Sequence, residues 1–201
     1  RFLILAEYST LPTIIAVNKV DLLSSRKALL ELYHTYGEYY SIIEVSAKTG
    51  YNMDLLREVF RGKISTMAGM SGVGKSSLLN ALKPGLKLRT SDISKRLDRG
   101  KHTTTRVELL EFDFGGYVAD TPGFASLELP EILPEELKDY FRELKVHGGY
   151  CAFSDCAHID EPGCYIKELV ETGDIPSTRY ESYKKMYEEL QEKNKGKKRW
   201  K

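Results

Sequence analysis

The sequence has no long hydrophobic run, few cysteines and almost no net charge. No apolar run approaches the roughly 20 residues that a helix needs to cross a bilayer, and the first residues do not resemble a signal peptide. We therefore expect a cytoplasmic protein without a membrane partner. All three cysteines lie between Cys151 and Cys164, whereas a secreted disulfide framework would use an even and dispersed set.

Charge is balanced overall, at a formal net charge of +1, but not locally. The chain is acidic from Glu128 to Glu143, while Lys193 to Lys201 carries six basic residues and no acidic one. This basic tail is either a nucleic-acid contact or a solvated, frayed terminus. With 201 residues, 41% of them hydrophobic, the chain is long enough for one domain and a smaller appendage. We expect the protein to be a monomer.

Strand and helix patterns alternate along the chain up to Asp120. Continuous apolar runs and a hairpin pattern predict five strands. They are Thr13–Val17, Ser41–Val45, Ile64–Ala68, Val107–Phe114 and Tyr117–Ala119. Helical periodicity appears in Phe2–Tyr8, in Leu22–Tyr36 and after Asn52, which can cap a helix. The alternation predicts an α/β domain with a mostly parallel sheet.

A glycine-rich segment between a predicted strand and a predicted helix matches the phosphate-binding pattern G-x-x-x-x-G-K-[ST]. It comprises Gly69, Met70, Ser71, Gly72, Val73, Gly74, Lys75 and Ser76, and Ser77 follows in the helix. The glycines let backbone amides wrap around a phosphate at a helix N-terminus. Lys75 can reach the β- and γ-phosphates, and Ser76 can bind Mg²⁺. The flanking strand and helix disfavour the alternative, an ordinary glycine-rich turn.

Two further motifs predict which nucleotide binds, because each follows a strand at the edge where open α/β sheets bind ligands. They are Asn18-Lys19-Val20-Asp21 and Ser46-Ala47-Lys48. The Asp21 carboxylate can accept two hydrogen bonds from guanine, a pair of donors that adenine does not present. Asn18 can brace the loop, the Lys19 stem can lie along the base, and the Ala47 amide can meet the guanine carbonyl. Alone, the first motif is more often a turn; with the phosphate loop it predicts binding of GTP and GDP.

The motif Asp120-x-x-Gly123 supplies the remaining phosphate contacts. Asp120 can hold Mg²⁺ through water, and the Gly123 amide can donate to the γ-phosphate. One of the threonines at positions 103–105 should place a second hydroxyl on Mg²⁺ beside that of Ser76, and we favour Thr104.

Phe124 stands where many GTPases carry the glutamine that orients the attacking water. Phenylalanine cannot do so, and two interpretations remain open. Either turnover is slow until a partner supplies the missing groups, or His102, next to the threonines, substitutes; the alternative for His102 is a plain loop histidine. The predicted catalytic residues are therefore Lys75, Thr104 and His102.

A cluster near the C-terminus uses every cysteine of the chain together with one histidine. Its members are Cys151, Cys156, His158 and Cys164. Three thiolates and an imidazole form a closed tetrahedral set, which is the usual arrangement of a structural Zn²⁺ site. Buried free thiols, or a disulfide with a spare cysteine, are the alternatives. We predict one structural Zn²⁺.

The nucleotide motifs occur in an unusual order. Familiar GTPases run from the phosphate loop through Asp-x-x-Gly to the base-binding motifs, whereas here the base-binding motifs come first. From Arg1 to about Glu192, this order and the cysteine cluster resemble the ribosome-small-subunit-dependent, circularly permuted GTPase family. The resemblance implies a circularly permuted P-loop GTPase fold and the same four zinc ligands. It also implies a GTP-hydrolysing factor that assists assembly or maturation of the small ribosomal subunit, with that subunit and its rRNA as partners.

We expect a GTPase domain over residues 1–127 and a small helical zinc-binding domain with the basic tail over 128–201. Family members carry an OB-fold ahead of the GTPase domain, and a six-stranded sheet would have a strand before Phe2–Tyr8, so we expect the chain to begin inside the domain. Because Gly123 leads directly into the zinc domain, nucleotide state is expected to set that domain's orientation. The alternative function is an RNA-binding module in which guanine nucleotide is mainly structural.

Overall fold

The computed structural model of the chain describes residues 1–86, 108–120 and 128–198. These residues contain seven α-helices, five β-strands and three short 3₁₀-helices. In chain order the α-helices and strands are α1 (Phe2–Tyr8), β1 (Ile14–Val17), α2 (Lys27–Tyr36), β2 (Ser41–Glu44), α3 (Met53–Phe60), β3 (Ile64–Thr66), α4 (Lys75–Leu82), β4 (Glu108–Glu111), β5 (Tyr117–Asp120), α5 (Arg142–His147), α6 (Tyr165–Thr172) and α7 (Ser177–Lys198). The 3₁₀-helices are Val20–Leu22, Pro134–Tyr140 and Gly148–Tyr150.

The strands form two hydrogen-bonded groups. β1 pairs in parallel with β2, and β5 lies between β3, to which it is parallel, and β4, to which it is antiparallel. Parallel pairing therefore dominates, as predicted. The expectation that all strands share one sheet is wrong for the described residues, because no hydrogen-bonded strand joins β1 to β3 there.

One hydrophobic core lies beneath the phosphate-binding segment. The apolar faces of α3 and α4, at the helical spacing of Met53, Leu56 and Phe60 and of Leu78 and Leu82, pack against the strands. Gly116, at φ 98°, turns the chain between β4 and β5; a Cβ there would lie 2.2 Å from the carbonyl oxygen of Phe60. This packing fixes the strand and helix that flank the phosphate loop.

A second core, here called the C-terminal core, joins the helices after residue 128. Its fully buried side chains include Leu137, Phe141, Ile166 and Tyr183. Ile4 of α1 packs into the same core, so the first helix of the predicted GTPase domain is anchored in the C-terminal segment. None of the described helices combines the length and apolar character needed to cross a bilayer.

Candidate nucleotide-binding site and metal centre

The phosphate-binding segment lies between the end of β3 at Thr66 and the start of α4 at Lys75. Gly72 and Gly74 have φ values of 82° and 97°, in the left-handed region that favours glycine. A Cβ at Gly74 would also lie 2.3 Å from Nδ2 of Asn18, so the Asn18 side chain would have to move from its present position. Ser76 is buried in the first turn of α4. The backbone thus places a glycine loop at the N-terminus of a helix, as phosphate binding requires.

The Lys75 ammonium folds back over this loop. Its Nζ donates to the carbonyl oxygens of Gly69, at 2.5 Å, and of Met70, at 3.0 Å. Burial lowers the pKa of Lys75 from its usual value. These two bonds hold the charge at the loop, where it can meet the phosphates of a nucleotide.

The first base-binding motif contacts the phosphate loop directly. Asn18 Nδ2 donates to the Val73 carbonyl at 3.0 Å, and Lys19 Nζ donates to the Gly72 carbonyl at 2.6 Å. Lys19 itself has a left-handed backbone, with φ 68°. These two bonds join residues that are 55 and 53 positions apart in the sequence. The base-binding motif and the phosphate loop are therefore adjacent in space.

The two base-binding motifs also contact each other. Ser46, which is fully buried, donates from Oγ to Asp21 Oδ1 at 2.6 Å. The Ala47 amide donates to Asn18 Oδ1 at 3.2 Å, and the Thr49 amide donates to Ser46 Oγ at 3.1 Å. Each carboxylate oxygen can accept more than one hydrogen bond, so Asp21 stays able to accept from a base while Ser46 fixes its orientation.

The metal centre is built from the cysteine cluster. Nδ1 of His158 lies 3.5 Å from Sγ of both Cys151 and Cys164, and the ligand atoms of all four side chains lie within 4.8 Å of one another. A tetrahedral Zn²⁺ with sulfur at about 2.3 Å and nitrogen at about 2.0 Å places those two atoms about 3.5 Å apart. Burial lowers the pKa of His158, which keeps the imidazole neutral and able to ligate. The four side chains therefore fit Zn²⁺, which when bound would cross-link this loop.

The loop that carries His158 is held from two sides. Tyr180 and Tyr183 of α7 donate from their hydroxyls to the carbonyls of His158, at 2.7 Å, and Ala157, at 2.6 Å. Burial raises the pKa of Tyr180 to about 12, so its hydroxyl remains a donor. The Glu161 carboxylate accepts from the amides of Ala157 and Ile159 at 2.7 and 2.9 Å. These bonds orient the ligands, as outer partners of metal sites do.

A family model matches the part of the chain that holds the nucleotide-binding motifs. The model of the RsgA GTPase family matches residues 1–130, which is more than half of the chain. The chain belongs to the RsgA GTPase family. It is 57% identical over 192 residues to a protein of Thermotoga petrophila named small ribosomal subunit biogenesis GTPase RsgA, a match that covers 94% of this chain and 64% of that protein. A protein of the same name from Geobacillus kaustophilus is 49% identical, with 96% and 67% covered.

Two solved structures support the RsgA-type fold. The crystal structure of YjeQ from Thermotoga maritima matches with a TM-score of 0.80 and 53% identity, over 94% of this chain and 63% of that one. The crystal structure of YloQ, a circularly permuted GTPase, matches with a TM-score of 0.75 and 33% identity, over 96% and 61%. The predicted fold class and family resemblance are confirmed. The chain spans just under two thirds of the length of the first relatives.

The remaining predicted site residues of this RsgA-family chain have different placements. Val20 and Ser77 are half-buried beside the base-binding and phosphate loops, and Lys48 is exposed. Asp120 ends β5, whose pairing with β3 brings it to the same edge as the phosphate loop. The other predicted residues lie outside the described residues; they are His102, Thr103, Thr104, Thr105, Gly123 and Phe124.

Sequence reasoning missed the side chains that support the metal loop. The helical spacing of Tyr180 and Tyr183 predicts that both side chains face the core, but it says nothing about their hydroxyls. Glu161 lies between two predicted ligands and carried no signal in its spacing. A buried tyrosine usually finds a hydrogen-bond partner, and this general rule is the one indication that the sequence offers.

Proposed function

We propose that this chain binds GTP and GDP with Mg²⁺, hydrolyses GTP to GDP and phosphate, and acts on the small ribosomal subunit in its late assembly or maturation. The observation that carries the nucleotide part is the meeting of three separate motifs. Asn18 and Lys19 bond to the phosphate loop, and Ser46 bonds to Asp21. Such an arrangement serves a ligand with a base at one end and phosphates at the other.

Each predicted residue then has a chemical role. Asp21 accepts from guanine, while Asn18, Lys19 and Ala47 shape the base site. The loop from Gly69 to Ser77 surrounds the phosphates. Mg²⁺ would be held by Ser76, Thr104 and Asp120, and the Gly123 amide would donate to the γ-phosphate.

Hydrolysis is proposed to depend on positioning and charge rather than on a built-in glutamine. Lys75 stabilises the charge that develops on the transferred phosphoryl group, and Thr104 holds Mg²⁺ against it. The attacking water is oriented either by His102 or by a group that the ribosomal partner brings. In the second case turnover without the partner is slow.

The ribosomal role follows from the relatives, which are named as small ribosomal subunit biogenesis GTPases. We propose that this chain, as a cytoplasmic monomer, binds the small subunit through rRNA contacts that include the basic tail from Lys193. The C-terminal segment holds one structural Zn²⁺ and responds to nucleotide state. The good fit of the four ligands to zinc supports this part.

The test compares GTP turnover by the purified chain with and without small ribosomal subunits. We expect slow turnover alone and faster turnover with subunits. An RNA-binding module whose nucleotide is only structural would bind GTP and GDP but show no subunit-dependent turnover. A chain that binds neither GTP nor GDP would refute the proposal at its first step. Lys75→Ala serves as the hydrolysis-deficient control in both conditions.

A further inference from the structure

We propose that Glu44 is a positioning residue that sets guanine selectivity by holding the two base-binding loops together. This inference rests on the proposed guanine-nucleotide function and extends it to a residue outside every predicted motif. Glu44 is the last residue of β2, and it comes two positions before Ser46. It does not need to touch the base, because its contacts reach the loops that do.

The Glu44 carboxylate makes two hydrogen bonds to α2 and the residue that precedes it. Oε1 accepts from Nη2 of Arg26, the N-cap of α2, at 2.8 Å. The same oxygen accepts from the Tyr33 hydroxyl at 3.2 Å. The Glu44 side chain is 11% exposed, whereas that of Arg26 is 67% exposed. A carboxylate in this sheltered position needs hydrogen-bond donors, since a buried charge without partners is costly.

These bonds provide a second connection between the two base-binding loops. Arg26 follows Asp21 by five residues, and Glu44 precedes Ser46 by two. The first connection is direct, because Ser46 Oγ donates to Asp21 Oδ1 at 2.6 Å. The backbone continues the connection, because the Val20 amide donates to the Val45 carbonyl at 3.3 Å. Loss of the Glu44 carboxylate would leave the Asp21 loop held by Ser46, by this backbone bond and by the contacts of Asn18 and Lys19 at its other end.

The backbone of Glu44 fixes the other end of the second loop. Its carbonyl oxygen accepts from Asn52 Nδ2 at 2.9 Å. Asn52 is the N-cap residue of α3, as predicted, but its side chain makes no cap bond and donates to Glu44 instead. The Ser46 amide in turn donates to the Tyr51 carbonyl at 3.1 Å. One residue therefore anchors both the start of α2 and the loop that carries Ser46.

The cavity beside these contacts supports the connection. Asp21, Arg26 and Glu44 line the same cavity, together with Thr49 and Tyr51. A shift of Arg26 or Glu44 would therefore change the space next to the proposed base acceptor. Hydrogen bonds weaken steeply as their distance and angle depart from the optimum, so a small displacement of Asp21 would affect the base more than the phosphates.

The test measures binding of GDP and of inosine diphosphate, which lacks the exocyclic amine that Asp21 is proposed to accept from. We expect Glu44→Ala to lower the ratio of GDP affinity to inosine diphosphate affinity on the order of tenfold, the size of one hydrogen bond to a charged group. The affinity for inosine diphosphate should change less, since the phosphate loop is untouched. Glu44→Gln keeps an oxygen that can accept from Arg26 and should retain part of the preference.

A matched control is available in Glu58→Ala, which removes a glutamate that pairs with Arg61 on an exposed face of α3. It should leave the nucleotide ratio unchanged. Arg26→Ala and Tyr33→Phe remove the two partners of Glu44 one at a time, and each should also lower the ratio of GDP affinity to inosine diphosphate affinity. These two variants replace Glu44→Ala in the test if Glu44→Ala does not fold. An unchanged ratio, or an equal loss for both nucleotides, would overturn the role of Glu44. A parent chain that does not prefer GDP would instead refute the assignment of Asp21.

Discussion

Arg179 and Glu143 form an ion pair inside the C-terminal core, with Nε 2.6 Å from Oε1. Their side chains are only 7% and 4% exposed. The Arg179 guanidinium also lies over the rings of Phe141, at 4.6 Å, and Tyr36, at 5.2 Å. Because Tyr36 is the last residue of α2, the pair lies where the nucleotide-binding part of the chain meets the C-terminal helices.

Glu143→Ala should strongly destabilise the chain. It leaves the buried Arg179 charge without its carboxylate, and breaking a buried pair in this way costs roughly 3–5 kcal/mol. Unfolding in urea, followed by far-UV circular dichroism, measures the loss. Glu58→Ala, which breaks an exposed glutamate–arginine pair on α3, is the control and should change stability little. Equal losses of stability in the two variants would mean that the buried pair contributes no more to stability than the exposed pair.

Asp21→Asn should move nucleotide preference from guanine to xanthine. An amide cannot accept both of guanine's hydrogen bonds, but it can donate to the additional carbonyl of xanthine. Titration with GDP and xanthosine diphosphate should show severe weakening of the first and a gain for the second. Lys75→Ala should weaken both nucleotides equally, because Lys75 lies at the predicted phosphate loop and away from Asp21 in sequence. Unchanged GDP affinity in Asp21→Asn would remove the assignment.

Local sequence patterns predicted the elements and the loops at their ends. The runs at Ile14, Ser41 and Ile64 are strands, and the glycine loop precedes a helix at Lys75. The α2 helix starts at Lys27 and not at Leu22, because Val20–Leu22 forms a separate 3₁₀ turn. Helical periodicity alone cannot separate such a short turn from the helix that follows it.

Long-range side-chain contacts had no local signal. Glu44 reaches Arg26, and Arg179 reaches Glu143 across 36 positions of the chain. Glu44 lies among apolar neighbours and Glu143 lies between Arg142 and Leu144, where spacing suggests only a strand end or a helix face. Their partners depend on which elements pack together, and that information lies in the fold as a whole.

Purified chain should contain about one Zn²⁺. Cys156→Ser should lower that content and expose the segment from residue 128 to protease, because metal binding to a short loop contributes directly to its folding. GDP binding should persist, since the phosphate loop belongs to the other core. His34→Ala replaces a histidine outside the cluster and should leave the zinc content unchanged. A metal-free chain with a protease-resistant C-terminal segment would contradict the prediction.

The last prediction concerns Arg142, which connects three parts of the chain. Its Nη1 donates to the Tyr39 carbonyl at 2.5 Å, its Nε bonds to Glu7 at 2.8 Å, and its guanidinium lies 4.5 Å from the Tyr40 ring centre. β2 begins directly after Tyr40 and leads to the base-binding loop at Ser46. Arg142 therefore connects α5 of the C-terminal segment to the residues just before the strand that leads to the predicted base-binding loop.

If nucleotide state acts on the C-terminal segment, the contacts of Arg142 should transmit part of the effect. We expect the parent chain to bind small subunits more tightly with a GTP analogue than with GDP, and Arg142→Ala to reduce that difference several-fold, because a connection between two sites couples them in both directions. Pelleting with purified subunits measures both states. Arg57→Ala, which breaks a surface pair with Asp54, should keep the full difference. If Arg142→Ala also keeps it, coupling must run instead through the segment that contains Gly123.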